Sequence, residues 1–126
     1  HNLQVARELQ AWRDQLRRHW QEIHWGNLVV SSEGDQNSFA VQLYLGEIEP
    51  DTVKVQLYAD PELPGAPADV RDMTRDHALS GAAGGFVYQA RLPAGRAADC
   101  YTPRVVPYHP EAAVPSEVTC ISWYPR

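Results

Sequence analysis

The sequence predicts a mainly β chain: an antiparallel β-sandwich of about seven strands, preceded by one amphipathic N-terminal helix. Three observations carry this. Apolar residues recur at three- and four-residue spacing only ahead of Gly26, the period then falls to two, and Gly, Pro, Asp and Asn punctuate the remainder at short intervals. The segment from Leu45 to Tyr58 shows the second pattern most clearly. One strand ends at Leu45-Gly46, a Pro50-Asp51 turn follows, and Val53, Val55 and Leu57 then alternate with Lys54, Gln56 and Tyr58. Strict alternation describes a sheet with one buried and one wet face.

Each element follows from its own signal. Residues 2–24 read as the helix, because Leu9, Trp12, Leu16, Trp20 and Ile23 fall on one face. Such a stripe must dock, either on the sandwich or on a second copy of the chain. Strands are expected at residues 27–32, 38–46, 52–59, 70–79 (the weakest), 86–92, 99–106 and 117–123. Phe39, Val41, Leu43 and Leu45 form one inward face, and Phe86, Tyr88, Ala90 and Leu92 another. Residues 60–68 hold three prolines and a glycine and read as loop. Pro103 lies inside the sixth strand and donates no ladder bond, which places it at an edge, at a bulge, or with its nitrogen turned from the partner strand. Short strands separated by turns at this spacing read as an immunoglobulin-like sandwich over residues 26–126, with residues 1–25 a linking helix from an upstream domain.

Composition excludes several classes. The chain has 126 residues and a formal charge of −5, which argues against nucleic acid and anionic membrane as partners. No apolar run approaches the roughly 20 residues of a membrane span. The N-terminal segment lacks the plan of a signal peptide, so the expected compartment is cytoplasmic. Cys100 and Cys120 are too few for a disulfide scaffold and are read as reduced, small apolar side chains.

Chemical motifs are absent. There is no Gly-x-Ser-x-Gly elbow, and the glycines at 81, 84 and 85 lack the Lys-Ser/Thr of a phosphate loop. His19, Glu22 and His24 do not have metal-ligand spacing on a helix, and Asp35 and Asn37 begin a calcium-loop pattern that fails at Phe39. Asp69, Asp72 and Asp76 read as a solvated set. No catalytic, cofactor-binding or metal-binding residue is assigned. Aromatics remain: Trp25, Tyr44, Tyr58, Tyr108, Trp123 and Tyr124. Of these, Trp25, Tyr44 and Tyr58 are the candidate contacts for a glucan or a partner, with packing on the helix or on another domain favoured over ligand binding.

Several of these segments together resemble the C-terminal β domain of the long bacterial form of α-glucan (glycogen/maltodextrin) phosphorylase. They are Trp20-Gln21-Glu22-Ile23, the turn from Leu45 to Val53, Val55-Gln56-Leu57-Tyr58, Met73, Gly85-Phe86-Val87-Tyr88, Tyr101 through Pro110, and Ile121-Ser122-Trp123. Enzymes of that family cleave α-1,4-glucans with phosphate, using pyridoxal phosphate held on a lysine. The resemblance implies a non-catalytic accessory domain, without cofactor in this stretch, that packs on a missing upstream catalytic domain or an oligomer partner. Weak α-glucan binding and self-association through the helix are further expectations. The alternatives are a carbohydrate-binding module using exposed aromatics and an immunoglobulin-like protein-interaction domain.

Overall fold

A computed structural model describes residues 2–81, 84–110 and 121–125. The helix α1 spans Asn2–His19, and Arg17 and Arg18 in its last turn are cations that complement the negative end of its dipole. A single 3-10 turn, Trp20–Glu22, leads into the strands. These are β1 (His24–Glu33), β2 (Gln36–Tyr44), β3 (Val53–Ala59), β4 (Asp69–Asp72), β5 (Thr74–Ala78), β6 (Gly85–Pro93), β7 (Thr102–Pro107) and β8 (Ser122–Trp123). They form two four-stranded antiparallel sheets, in the orders β1-β2-β6-β5 and β4-β3-β7-β8. Lettered A, B, C, C′, D, E, F, G in chain order, the sheets read ABED and C′CFG, which is compatible with an immunoglobulin-like sandwich.

The predicted strand at 70–79 is in fact two strands in different sheets. β4 pairs with β3 and β5 with β6, and Met73 sits at the crossing. The Met73 side chain is buried and its N–H donates to the Val55 carbonyl at 2.8 Å. One apolar residue therefore anchors the turn between layers, while the strands on either side are mostly exposed. This corner is the source of the weak alternation, and it raises the described strands to eight. The predicted strand at 117–123 is seen at Ser122–Trp123, and residues 111–120 lie outside the described residues. Cys120 is among these, and Cys100 is exposed.

Pro103 is buried in β7, between β3 and β8, rather than at an edge. Its carbonyl accepts from the Tyr124 N–H at 2.8 Å. Backbone groups of one residue point to the same side of an antiparallel strand, so the missing N–H faces β8, where that short strand ends. The ladder to β3 loses no bond.

The core lies between the sheets. Phe39, Val41 and Leu43 of β2 face Val53, Val55 and Leu57 of β3, joined by Tyr88 and Leu92 of β6 and Val105 of β7. Trp12, Leu16 and Ile23 belong to the same buried cluster, and Trp20 packs against it in part. Trp12 Nε1 donates to the Thr52 carbonyl at 3.3 Å, and its ring meets His109 edge-on at 5.4 Å. The helix thus seals one end of the sandwich, where β3 begins and β7 has just ended. Burying one leucine to the extent of Leu16, which is 1% exposed, contributes about 1.5–3 kcal/mol of transfer free energy.

Candidate functional site: the outer face of the second sheet

Alternation on β3 turns Lys54, Gln56 and Tyr58 away from the core, and register decides what stands beside them. Directly opposed residues share a face. Arg104 of β7 opposes Gln56, and Trp123 of β8 opposes Arg104. On the other flank, Val70 and Asp72 of β4 oppose Tyr58 and Gln56. One outer face therefore collects Trp123, Arg104, Tyr58, Gln56 and Asp72.

Their side chains interlock. Tyr58 and Trp123 meet edge-to-face with ring centroids 5.3 Å apart. The Arg104 guanidinium lies 4.7 Å from the Tyr58 centroid and 5.3 Å from that of Trp123. Cations over aromatic faces gain about 0.5–2 kcal/mol, more where water is excluded. Arg104 Nε donates to Gln56 Oε1 at 3.0 Å, and Gln56 Nε2 donates to Asp72 Oδ1 at 3.1 Å. Lys54 Nζ stands 3.6 Å from Asp72 Oδ2 and 4.4 Å from the Tyr108 ring centroid. Partial burial pushes the Arg104 pKa down from its ordinary value, with Tyr58 acting in the opposite sense, and a guanidinium so placed keeps its charge. Trp123 remains 44% exposed.

The candidate contacts from the sequence separate. Tyr58 is part of this face. Tyr44 lies on the outer face of the other sheet, on the far side of the molecule, opposite His24 and Gly85. Trp25 points inward: it opposes the buried Leu43, and one extra residue between Trp25 and Leu28 makes a β-bulge. Its ring packs edge-on to Tyr124 at 5.8 Å. The three residues therefore do not form one stripe. Arg104, Gln56 and Asp72 were missed by sequence reading. Gln56 carried a signal, two positions from Tyr58 on one strand, whereas Arg104 and Trp123 reach the face only through strand pairing.

The acidic sets resolve into separate partnerships. Asp69 accepts from Arg71 Nε at 2.7 Å and from the Tyr101 hydroxyl, and these two, Arg71 first, hold its carboxyl below the usual range. Asp72 belongs to Gln56 and Lys54, and Asp76 to His77 and Gln89. Glu22 accepts from His19 and from the Glu47 N–H, while His24 sits exposed on β1. Among the described residues no three or more of His, Cys, Asp and Glu gather as a metal site. A recess of about 270 Å³ at the sheet crossing is lined by Pro50, Lys54, Met73, Arg75 and Tyr88. Burial pushes the Tyr88 hydroxyl up, the wrong direction for a nucleophile at neutral pH.

An end-capped, two-sheet antiparallel sandwich with an aromatic–arginine outer face defines the class as a β-sandwich domain. The chain belongs to the glycogen phosphorylase C-terminal domain family, whose profile matches residues 20–125. The match begins at the 3-10 turn, so α1 lies ahead of it. No curated protein and no solved structure matches the chain. No helix among the described residues is long and apolar enough to cross a membrane.

Proposed function

We propose that this chain is the non-catalytic C-terminal accessory domain of an α-glucan phosphorylase-like enzyme of glycogen and maltodextrin metabolism. It packs on the catalytic body or on an oligomer partner, in the cytoplasm. The observation that supports this reading is the division of α1. Its later turns are built into the sandwich through Trp12 and Leu16, with Leu9 packing beside that core, whereas its first turns carry Leu3, 74% exposed, and the part-buried Val5. Leu3 lies on the side of the helix away from Trp12. A helix clamped at one end and apolar at the other is suited to hold an upstream body in fixed orientation.

Membership of the glycogen phosphorylase C-terminal domain family supports the phosphorylase reading, in which pyridoxal phosphate is the cofactor of the whole enzyme. The residues present here do not fit that cofactor. A Schiff-base lysine needs a desolvated pocket that lowers its pKa. Lys54, the one lysine, stands on the outer face with its side chain 41% exposed and beside Asp72. No step is assigned to the cofactor in this chain.

Two measurements test the proposal. The 126-residue chain is expected to show no phosphorolysis of maltoheptaose and no borohydride-stable pyridoxal adduct at Lys54; either activity would refute the non-catalytic reading. Amide exchange across residues 3–9 is expected to be fast in this chain and strongly slowed in the full-length enzyme. Equal exchange in both would refute packing through α1.

A further inference from the structure

We infer that the outer face of the second sheet is a low-affinity α-glucan site, with the exposed Trp123 stacking on a sugar ring, Tyr58 holding the indole edge-to-face, and Arg104, Gln56 and Asp72 binding hydroxyls. The choice of an α-1,4-glucan among neutral polysaccharides rests on the function proposed above; the platform itself does not.

Four observations converge. First, the apolar stripe of α1, the competing claimant for outward aromatics, docks at the sandwich end on Thr52 and His109 and leaves this face alone. Second, Tyr58 and Trp123 are held by one guanidinium, so little rotamer freedom remains to be lost on binding, and Trp123 is nearly half exposed. Third, the adjoining polar groups are planar and linked in a row from Arg104 through Gln56 to Asp72. Among the described residues only Nε of Arg104 is engaged by a hydrogen-bond acceptor, so its terminal N–H groups remain for hydroxyls, which also donate to carboxylates. Fourth, Asp72 offsets one of the two cations, Lys54 and Arg104, so the patch keeps a single excess positive charge on an acidic chain, a weak field compatible with an uncharged ligand. The other sheet offers Ser38, Ala40 and Gln42 beside a single aromatic, Tyr44, and lacks such a platform.

One stacked ring and a few solvent-exposed hydrogen bonds correspond to dissociation constants of about 1 mM or weaker. That is sufficient in an accessory domain, because a polymer already engaged by the enzyme is presented at millimolar effective concentration.

The test is proton–nitrogen NMR of the 126-residue chain titrated with maltoheptaose. The Trp123 indole signal is expected to move and saturate in the millimolar range, while that of Trp12, buried and bonded to Thr52, stays fixed. The backbone amides of β3, β7 and β8 around Tyr58, Arg104 and Trp123 are expected to shift with the Trp123 indole, and Trp123→Ala and Tyr58→Ala are expected to abolish that amide response with the fingerprint of the unliganded chain otherwise retained. Arg104→Lys leaves the fold and weakens binding by ~5-fold or more, because a flexible ammonium cannot hold both rings. No movement up to about 50 mM, well beyond that range, would overturn the site. So would a response that survives Trp123→Ala, or an equal response to β-linked cellohexaose. Burial of Trp123 in the full-length enzyme, read by loss of quenching by acrylamide, would assign the face to a protein contact instead and overturn it too. Loss of this site leaves the phosphorolysis and amide-exchange tests untouched, so the two readings fail separately.

Discussion

Trp25 Nε1 donates to Ser122 Oγ at 3.1 Å, tying the first strand of one sheet to the last strand of the other. β1 and β8 are edge strands of different sheets, and the Trp25 ring against Tyr124 closes the gap between them. Trp25→Phe keeps most of the ring and loses the bond, and should cost about 1 kcal/mol. Trp25→Ala should cost about 2–4 kcal/mol, at or below the usual range for a buried tryptophan because Trp25 is only half-buried. Urea midpoints at unchanged m-value check both.

The helix supplies a graded pair. Trp12 is 6% exposed in the common core, whereas Trp20 only packs against it. Trp12→Ala should cost about 3–5 kcal/mol and Leu16→Ala about 2–5 kcal/mol. Trp20→Ala should cost about 1–2 kcal/mol, the ordinary range for a partly buried site. Denaturation of the three variants tests the order, and an equal loss at Trp12 and Trp20 would contradict the end-capping geometry.

Gly84 holds φ +72°, and a Cβ there would lie 2.6 Å from the Gly46 carbonyl oxygen and 2.9 Å from its nitrogen. Both atoms are backbone, and Gly84 itself accepts from the Leu45 N–H at 2.8 Å. Gly84→Ala should therefore cost more than the ~1–2 kcal/mol of left-handed strain alone. Gly34, at φ +65° with open space around it, should stay near that strain when changed to Ala. Thermal melts of the two variants measure the difference.

The acid limb of stability should carry the mark of Glu22. Its bond to His19, then that from the Glu47 N–H, hold its carboxyl below its ordinary 4.5. A carboxyl depressed in the folded state adds stability that is present above its unfolded value and is lost as pH falls through the folded one. Stability should thus decline below about pH 4.5, and Glu22→Gln should flatten the decline. The residual slope belongs in part to Asp69, which is depressed in the same sense by Arg71 and Tyr101. Unfolding midpoints from neutral pH down to about 3 read both contributions.

Sequence alone determined which side chains turn inward along the regularly alternating strands and along the helix. Phe39, Val41 and Leu43, or Val53, Val55 and Leu57, betray their face by a period of two, and Trp12 and Leu16 by helical spacing, because these periods are properties of the local backbone. Tyr44 and Tyr58 were both legible as outward for the same reason. What a local period cannot carry is the sheet to which a face belongs. Only the tertiary structure put Tyr44 and Tyr58 on opposite sides, split residues 69–78 between two sheets at Met73, and turned Trp25 inward through a bulge. It alone brought Trp123 to Arg104 and Arg104 to Tyr58, from three strands spread over 66 positions of chain. Register and layer assignment are set by pairing between distant segments, and that pairing is decided by which arrangement buries all the inward faces at once.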